Sequence, residues 1–152
     1  MIDRHLAAFL EEGLVIHIGT CSADLEPNGT RVTAVTVDAD GRHVVAYVPR
    51  VAIRQIQSDL EGAGLAALVF VRPADDRACQ VKGVVTGIRA ATARERRLVA
   101  AQWEASRQVL EDVGLPPILT ESWRVWPSMA VRLRVTALFD QTPGPNAGAP
   151  LP

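Results

Sequence analysis

The segment 78–90 constrains this chain most. Polar and apolar side chains alternate from Gln80 to Val85, the period of a strand with one face toward a core and the other outward. Gly83 and Gly87 lack a Cβ, so the strand can bend there or be approached closely. Lys82 is the only lysine in the sequence; every other cation is an arginine. An ammonium beside the Gln80 amide, on one face of a strand, suits an anion or a ring carbonyl.

Strand patterns recur along the chain. Leu14, Ile16 and Ile18 share one face of a strand over 14–20. A turn is expected at Glu26-Pro27-Asn28-Gly29 and a second strand over 31–38. Asp40-Gly41 gives a tight hairpin into a third strand over 43–48. The stretch 65–71 is almost wholly apolar and predicts a strand covered on both faces. The last strand, over 129–139, turns Val131, Leu133 and Val135 inward and Arg132 and Arg134 outward.

Helical signals fall only between these strands. Asp3 is the N-cap of a first short helix, with Leu6, Phe9 and Leu10 as its stripe and Gly13 as its stop. Ile53, Ile56 and Leu60 predict a helix over 51–61. Thr92 and Glu95 form a capping box that opens the longest helix, which Gly114 and Pro116-Pro117 end. One more helical turn fits 119–124. The expected fold is mostly β (α+β): a six-stranded antiparallel split β-barrel with flanking helices. Residues 1–140 form its single domain. Residues 141–152, rich in Pro, Gly and Ala without periodicity, predict a flexible tail.

A chain of 152 residues that is 48% hydrophobic with a net charge of −1 is globular and long enough for one real core. It has no Lys/Arg run, which argues against nucleic acid as a partner. It has no apolar run of membrane-spanning length and no leader pattern, so the expectation is a cytoplasmic protein with no membrane partner. Cys21 and Cys79 are isolated, as buried thiols are, and predict neither a disulfide nor a metal pair. The three histidines, His5, His17 and His43, show no ligand spacing with cysteine or carboxylate, so no metal is expected. No G-x-S-x-G occurs and no serine has an evident histidine partner. Glu11-Glu12 and Asp75-Asp76 read as solvated surface. Trp103, Trp123 and Trp126 suit core or interface packing, with the last two also placed to stack on a ligand ring just before the final strand.

The ordered set of segments resembles the pyridoxamine 5'-phosphate oxidase-like family, the FMN-binding split barrels, over nearly the whole chain. Its pieces are Ile18-Gly19-Thr20, Val35-Thr36-Val37-Asp38 before the hairpin, Val48-Pro49-Arg50, the 65–70 strand and Gln80-Val81-Lys82-Gly83. The closing Phe139-Asp140-Gln141-Thr142-Pro143-Gly144-Pro145 is similar to a branch of that family in which a strand runs into a Q-T-P-G-P tail. The resemblance implies a homodimer with FMN at the subunit interface and oxidoreductase activity on a small, unidentified substrate. Arg31, Arg50, Arg54 and Lys82 are the candidates for the FMN phosphate, and Thr36 and Gln80 for the pyrimidine edge of the flavin. The chain departs from oxidases acting on pyridoxamine phosphate. It lacks their Ser-Arg-Lys step after the third strand, and it has no histidine after His43, so it lacks their closing Arg-x-His. It is therefore not expected to be a genuine pyridoxamine phosphate oxidase. The alternative is a non-catalytic split barrel that binds another small ligand or haem.

Overall fold

The computed structural model describes residues 1–152. Seven strands and five helices follow in the order α1 (Arg4–Leu10), β1 (Val15–Cys21), β2 (Pro27–Val32), β3 (Ala34–Val37), β4 (His43–Pro49), α2 (Arg50–Ile53), α3 (Gln57–Glu61), β5 (Leu65–Arg72), β6 (Arg77–Ala90), α4 (Glu95–Asp112), α5 (Ile118–Glu121) and β7 (Ser128–Asp140). The strands form one sheet, β2-β1-β5-β6-β7-β4-β3, and every pairing is antiparallel.

β2 and β3 stand at opposite ends of that order, yet only Thr33 separates them. The Thr33 N–H donates to the Tyr47 carbonyl at 2.9 Å. The sheet therefore curls into a half-barrel until its two ends meet. This corrects the six-strand expectation: the strand predicted over 31–38 is broken, one half pairing with β1 and the other with β4. A strand passing from one end of a curled sheet to the other has to bend. The turn predicted at Glu26–Gly29 also lies earlier. Ser22 Oγ accepts from the Asp24 and Glu26 N–H groups at 3.2 Å, while Asn28 and Gly29 already pair with Thr20 and Gly19.

Two further expectations change. The helix over 51–61 is two short helices, α2 and α3. The 65–71 strand is covered on one face only; its residues alternate in burial, and Leu65 is half exposed. Ile16 and Ile18 of β1, Leu68 and Phe70 of β5, Val81 of β6 and Leu133 of β7 fill the inside of the curl, with Leu10 and Ile56 packed against them. Burying side chains of this size contributes roughly 1.5–3 kcal/mol each. Gly83 sits at a register shift between β6 and β7. A Cβ there would lie 2.7 Å from the Arg134 carbonyl oxygen, so no other residue fits without movement of the bulge.

α4 closes the side of the curl over β3. Its capping box forms as expected: the Thr92 N–H donates to Glu95 Oε2 at 2.7 Å, and the Glu95 N–H to Thr92 Oγ1 at 3.4 Å. Glu95 also accepts from the Tyr47 hydroxyl at 2.9 Å and from both terminal nitrogens of Arg89. Two turns further on, buried Gln102 accepts from the Val35 N–H at 2.9 Å and donates to the Val35 carbonyl at 2.8 Å. Glu11 accepts from the Val37 N–H at 2.6 Å. These side chains replace the strand that the outer edge of β3 lacks.

The tail does not run free. It doubles back through Gly148, whose φ of +85° suits a residue without Cβ. Asp140 N–H then donates to Ala149, and Leu151 N–H to Leu138, each at 2.9 Å. No helix is long and apolar enough to cross a membrane.

Candidate functional site

β4 runs straight into α2 at Pro49–Arg50. The Arg50 N–H donates to the Pro127 carbonyl at 2.8 Å. That bond ties the start of α2 to the loop between α5 and β7. It gathers Arg50, Arg54 and Arg124 around Trp126 and Pro127. A neighbouring cleft of about 490 Å³ continues from Arg50 and Arg54 along Gln57, Ala90 and Ser128. Carboxylates of this chain pair with Arg72, Arg89, Arg107 and Arg132, and His43 lies near Asp40 and the Asp38 that Arg132 holds; none pairs with the three corner arginines. Like charges brought together without an anion repel one another, and each guanidinium keeps its planar fork of donors free. The arrangement suits a phosphate, which such forks bind with short, charge-assisted hydrogen bonds.

Arg124 also lines a second cavity, of about 100 Å³, reached from the inner side of the same loop. Leu14, Ile16, His17, Arg31, Trp103 and Trp123 are among its walls. Arg31 and His17 sit opposite each other in the β1–β2 register. The Arg31 guanidinium carbon lies 3.7 Å from the Trp123 ring centroid, and that ring lies 5.5 Å from Trp103. Burial pushes the Arg31 pKa down. Burial first, and the Arg31 charge second, lower that of His17, so its ring is neutral at pH 7.

The remaining candidates lie elsewhere. Thr36 is on β3 beside the Tyr47 hydroxyl. Gln80 and Lys82 are on the outer face of the sheet: Gln80 pairs with Phe139 in register, and Lys82 Nζ is 4.9 Å from the Phe139 ring centroid. Lys82 lines an open cleft of about 370 Å³ with Gly19, Ala67 and Thr136, which shares no residue with the arginine corner. Within one chain the structure thus joins Arg50 to Arg54, places Arg31 one cavity away, and separates Thr36, Gln80 and Lys82 from both. Arg124 was not among the sequence candidates. Its signal is the run Trp123-Arg124-Val125-Trp126-Pro127, a cation flanked by aromatics, but only the fold brings it to α2.

At the Asp40-Gly41 hairpin, the ligating atoms of Asp38, Asp40 and His43 lie within 4.8 Å of one another. This corrects the expectation that no histidine lies near carboxylates. Arg132 Nη2 donates to Asp38 at 2.5 Å, so one of the two carboxylates already has a cation.

No family model matches the chain, and no curated protein does either. Solved structures do. An F420 reductase superposes with a TM-score of 0.59 at 19% identity, over 86% of this chain and 93% of that one. HupZ of Group A Streptococcus does so with a TM-score of 0.59 at 16% identity, over 97% and 100%. A candidate pyridoxamine 5'-phosphate oxidase of Lactobacillus delbrueckii gives 0.56 at 12% identity, over 90% and 92%. At such identities the likeness is one of backbone, and it matches the curled sheet derived above from Thr33. The chain has the split-barrel fold of the pyridoxamine 5'-phosphate oxidase-like proteins.

Proposed function

We propose that this protein binds FMN and acts as a flavin-dependent oxidoreductase on a small substrate. One observation carries the reading: three arginines without carboxylate partners converge at the β4–α2 step of a split barrel. Arg50, Arg54 and Arg124 are the phosphate ligands in this reading. The cleft beside them has apolar walls at Ile53, Ala90 and Met129, which suits a ring that must exclude water. When bound, the flavin supplies hydride or electron transfer.

Within one chain the pyrimidine edge lacks its expected partners and the phosphate lacks Lys82, because Gln80 and Lys82 face outward and Thr36 lies beside the Tyr47 hydroxyl. A homodimer remedies this if the outer sheet face of one protomer closes the corner of the other. Half-exposed Leu65 on that face supports burial against a second copy.

Purification tests the reading directly. The expected protein is yellow, or takes up added FMN with quenching of flavin fluorescence. Arg50→Ala, Arg54→Ala and Arg124→Ala should each weaken FMN by roughly ten- to a hundredfold, the loss of one charge-assisted hydrogen bond. Arg97 is the control, because Arg96 lies 5.8 Å from the Trp126 ring centroid beside the corner. A colourless protein that takes up no FMN defeats the reading. Bound flavin that neither NADH nor NADPH reduces supports the non-catalytic alternative, and haem absorption without flavin supports it more strongly. A monomer mass by light scattering at micromolar protein removes the homodimer.

A further inference from the structure

Phosphate binding at the corner leaves the tryptophan-lined cavity unexplained. Its volume of about 100 Å³ is several times the roughly 10–15 Å³ that admits one water molecule. Leu14, Ile16, Leu110 and the rings of Trp103 and Trp123 make most of its wall apolar. Such a space holds water poorly and an apolar ring well. Yet a full positive charge reaches into it. Arg31 makes no ion pair, and none of the chain's side-chain hydrogen bonds involves its guanidinium.

Stacking on Trp123 returns part of the hydration that Arg31 gives up. It occupies the face of the guanidinium and leaves the N–H edge, the planar fork that pairs with a carboxylate. Neutral His17 beside it offers a further donor without adding charge. Arg31 is the one cation that belongs to this cavity alone, since exposed Arg124 is shared with the corner. A single guanidinium in an apolar, aromatic wall matches a monoanion with a flat body better than a phosphate, for which the three corner arginines are the richer site.

We propose that this cavity is the substrate subsite and takes a small carboxylate borne on a flat apolar ring, its carboxylate on the Arg31 edge and its ring against Trp103 and Trp123. Its role as a substrate subsite rests on the flavin reading; binding of the carboxylate does not.

The test uses benzoate, with benzamide as its neutral isostere, titrated into flavin-free protein. Tryptophan fluorescence is followed in a Trp126→Phe background, because Trp126 lies outside the cavity. Benzoate is expected to give a saturable change and benzamide to bind about tenfold or more weakly. Arg31→Gln should lower benzoate affinity by about tenfold or more and leave FMN affinity unchanged. If Arg31→Gln does not fold, Arg31→Lys keeps the charge, loses the fork and should still weaken benzoate. Equal binding of benzoate and benzamide overturns the proposal. So do undisturbed benzoate binding in both Arg31 variants, and competition between benzoate and FMN for one site. Benzoate binding in a protein that takes up no FMN upholds the cavity's ligand class while removing the flavin reading.

Discussion

Two regions of the molecule handle arginine in opposite ways. On the α4 side, Arg89 meets Glu95, which also holds the Tyr47 hydroxyl and caps the helix. Beside it, Gln102 satisfies both backbone groups of Val35. At the β4–α2 corner, Arg50, Arg54 and Arg124 have no anionic partner at all. Paired polar groups in a buried wall stabilise one structure. Unpaired like charges on rigid elements lower stability slightly and keep binding capacity in reserve. The first region is architecture; the second is where a ligand contributes.

The strongest way to break this contrast is Gln102→Leu. It leaves the buried N–H and carbonyl of Val35 without partners, at about 1–3 kcal/mol for each such group. We expect a loss of about 3 kcal/mol, or roughly 6–12 °C in melting temperature for a domain of this size. A change below about 1 kcal/mol in thermal or denaturant unfolding would mean that water takes over those groups and that the wall is not sealed.

Glu95→Ala comes next. It removes the side-chain half of the capping box, which accepts from the Thr92 N–H, and the partner of the Tyr47 hydroxyl, and we expect about 2 kcal/mol of destabilisation. The same residue gives a pH signature. Chiefly the Arg89 guanidinium, helped by Thr92 and Tyr47, holds the Glu95 carboxyl far below its ordinary value of 4.5. A carboxyl depressed on folding contributes stability that is complete above its unfolded pKa and declines as pH falls beneath it. Unfolding in urea should therefore show stability falling below about pH 4.5, with a shallower fall in Glu95→Gln. Parallel pH profiles for parent and variant would contradict the pairing.

The smallest stability effects belong to the corner. Arg50→Ala, Arg54→Ala and Arg124→Ala should each change unfolding free energy by less than about 0.5 kcal/mol, while affecting FMN affinity as stated above. Because repulsion is relieved, any shift should be toward higher stability at low salt and should vanish at high salt. A large loss in any of them would make that arginine part of the architecture and erase the contrast.

Much of the wall was legible because its signals are local. The Thr92–Glu95 box is a four-residue pattern, Asp3 caps α1 by accepting from Leu6 N–H at 2.8 Å, and strand alternation places Ile16, Ile18, Val81 and Leu133 in the core. The break at Thr33 was not legible: the alternation slips only at Ala34-Val35, two adjacent apolar residues that are both buried, and such a slip does not by itself mark a bend that arises from closure of the sheet. The corner was legible only in half. Arg50 and Arg54 lie one helical turn apart, which spacing reveals. Arg124 arrives from a loop 70 residues later, held by the bond from Arg50 N–H to Pro127, and no periodicity encodes that. Gln102 shares the buried side of α4 with Val99 and Ser106, a helical spacing, but spacing cannot say that its amide would meet a strand edge.

The side chains along β3 also decide how this protein can meet its neighbours. An open strand edge is a template on which another chain can extend the sheet, in ordered assembly or in aggregation. With Gln102 occupying the Val35 groups and Glu11 the Val37 N–H, a peptide approaching that edge finds its donors and acceptors already engaged. The opposite end of the sheet offers little more, since β2 is six residues long and begins with Pro27, which has no N–H to give. Growth by strand addition is thus closed at β3 and poorly supported at β2. Sheet extension is therefore not a route by which copies of this chain would build a fibre.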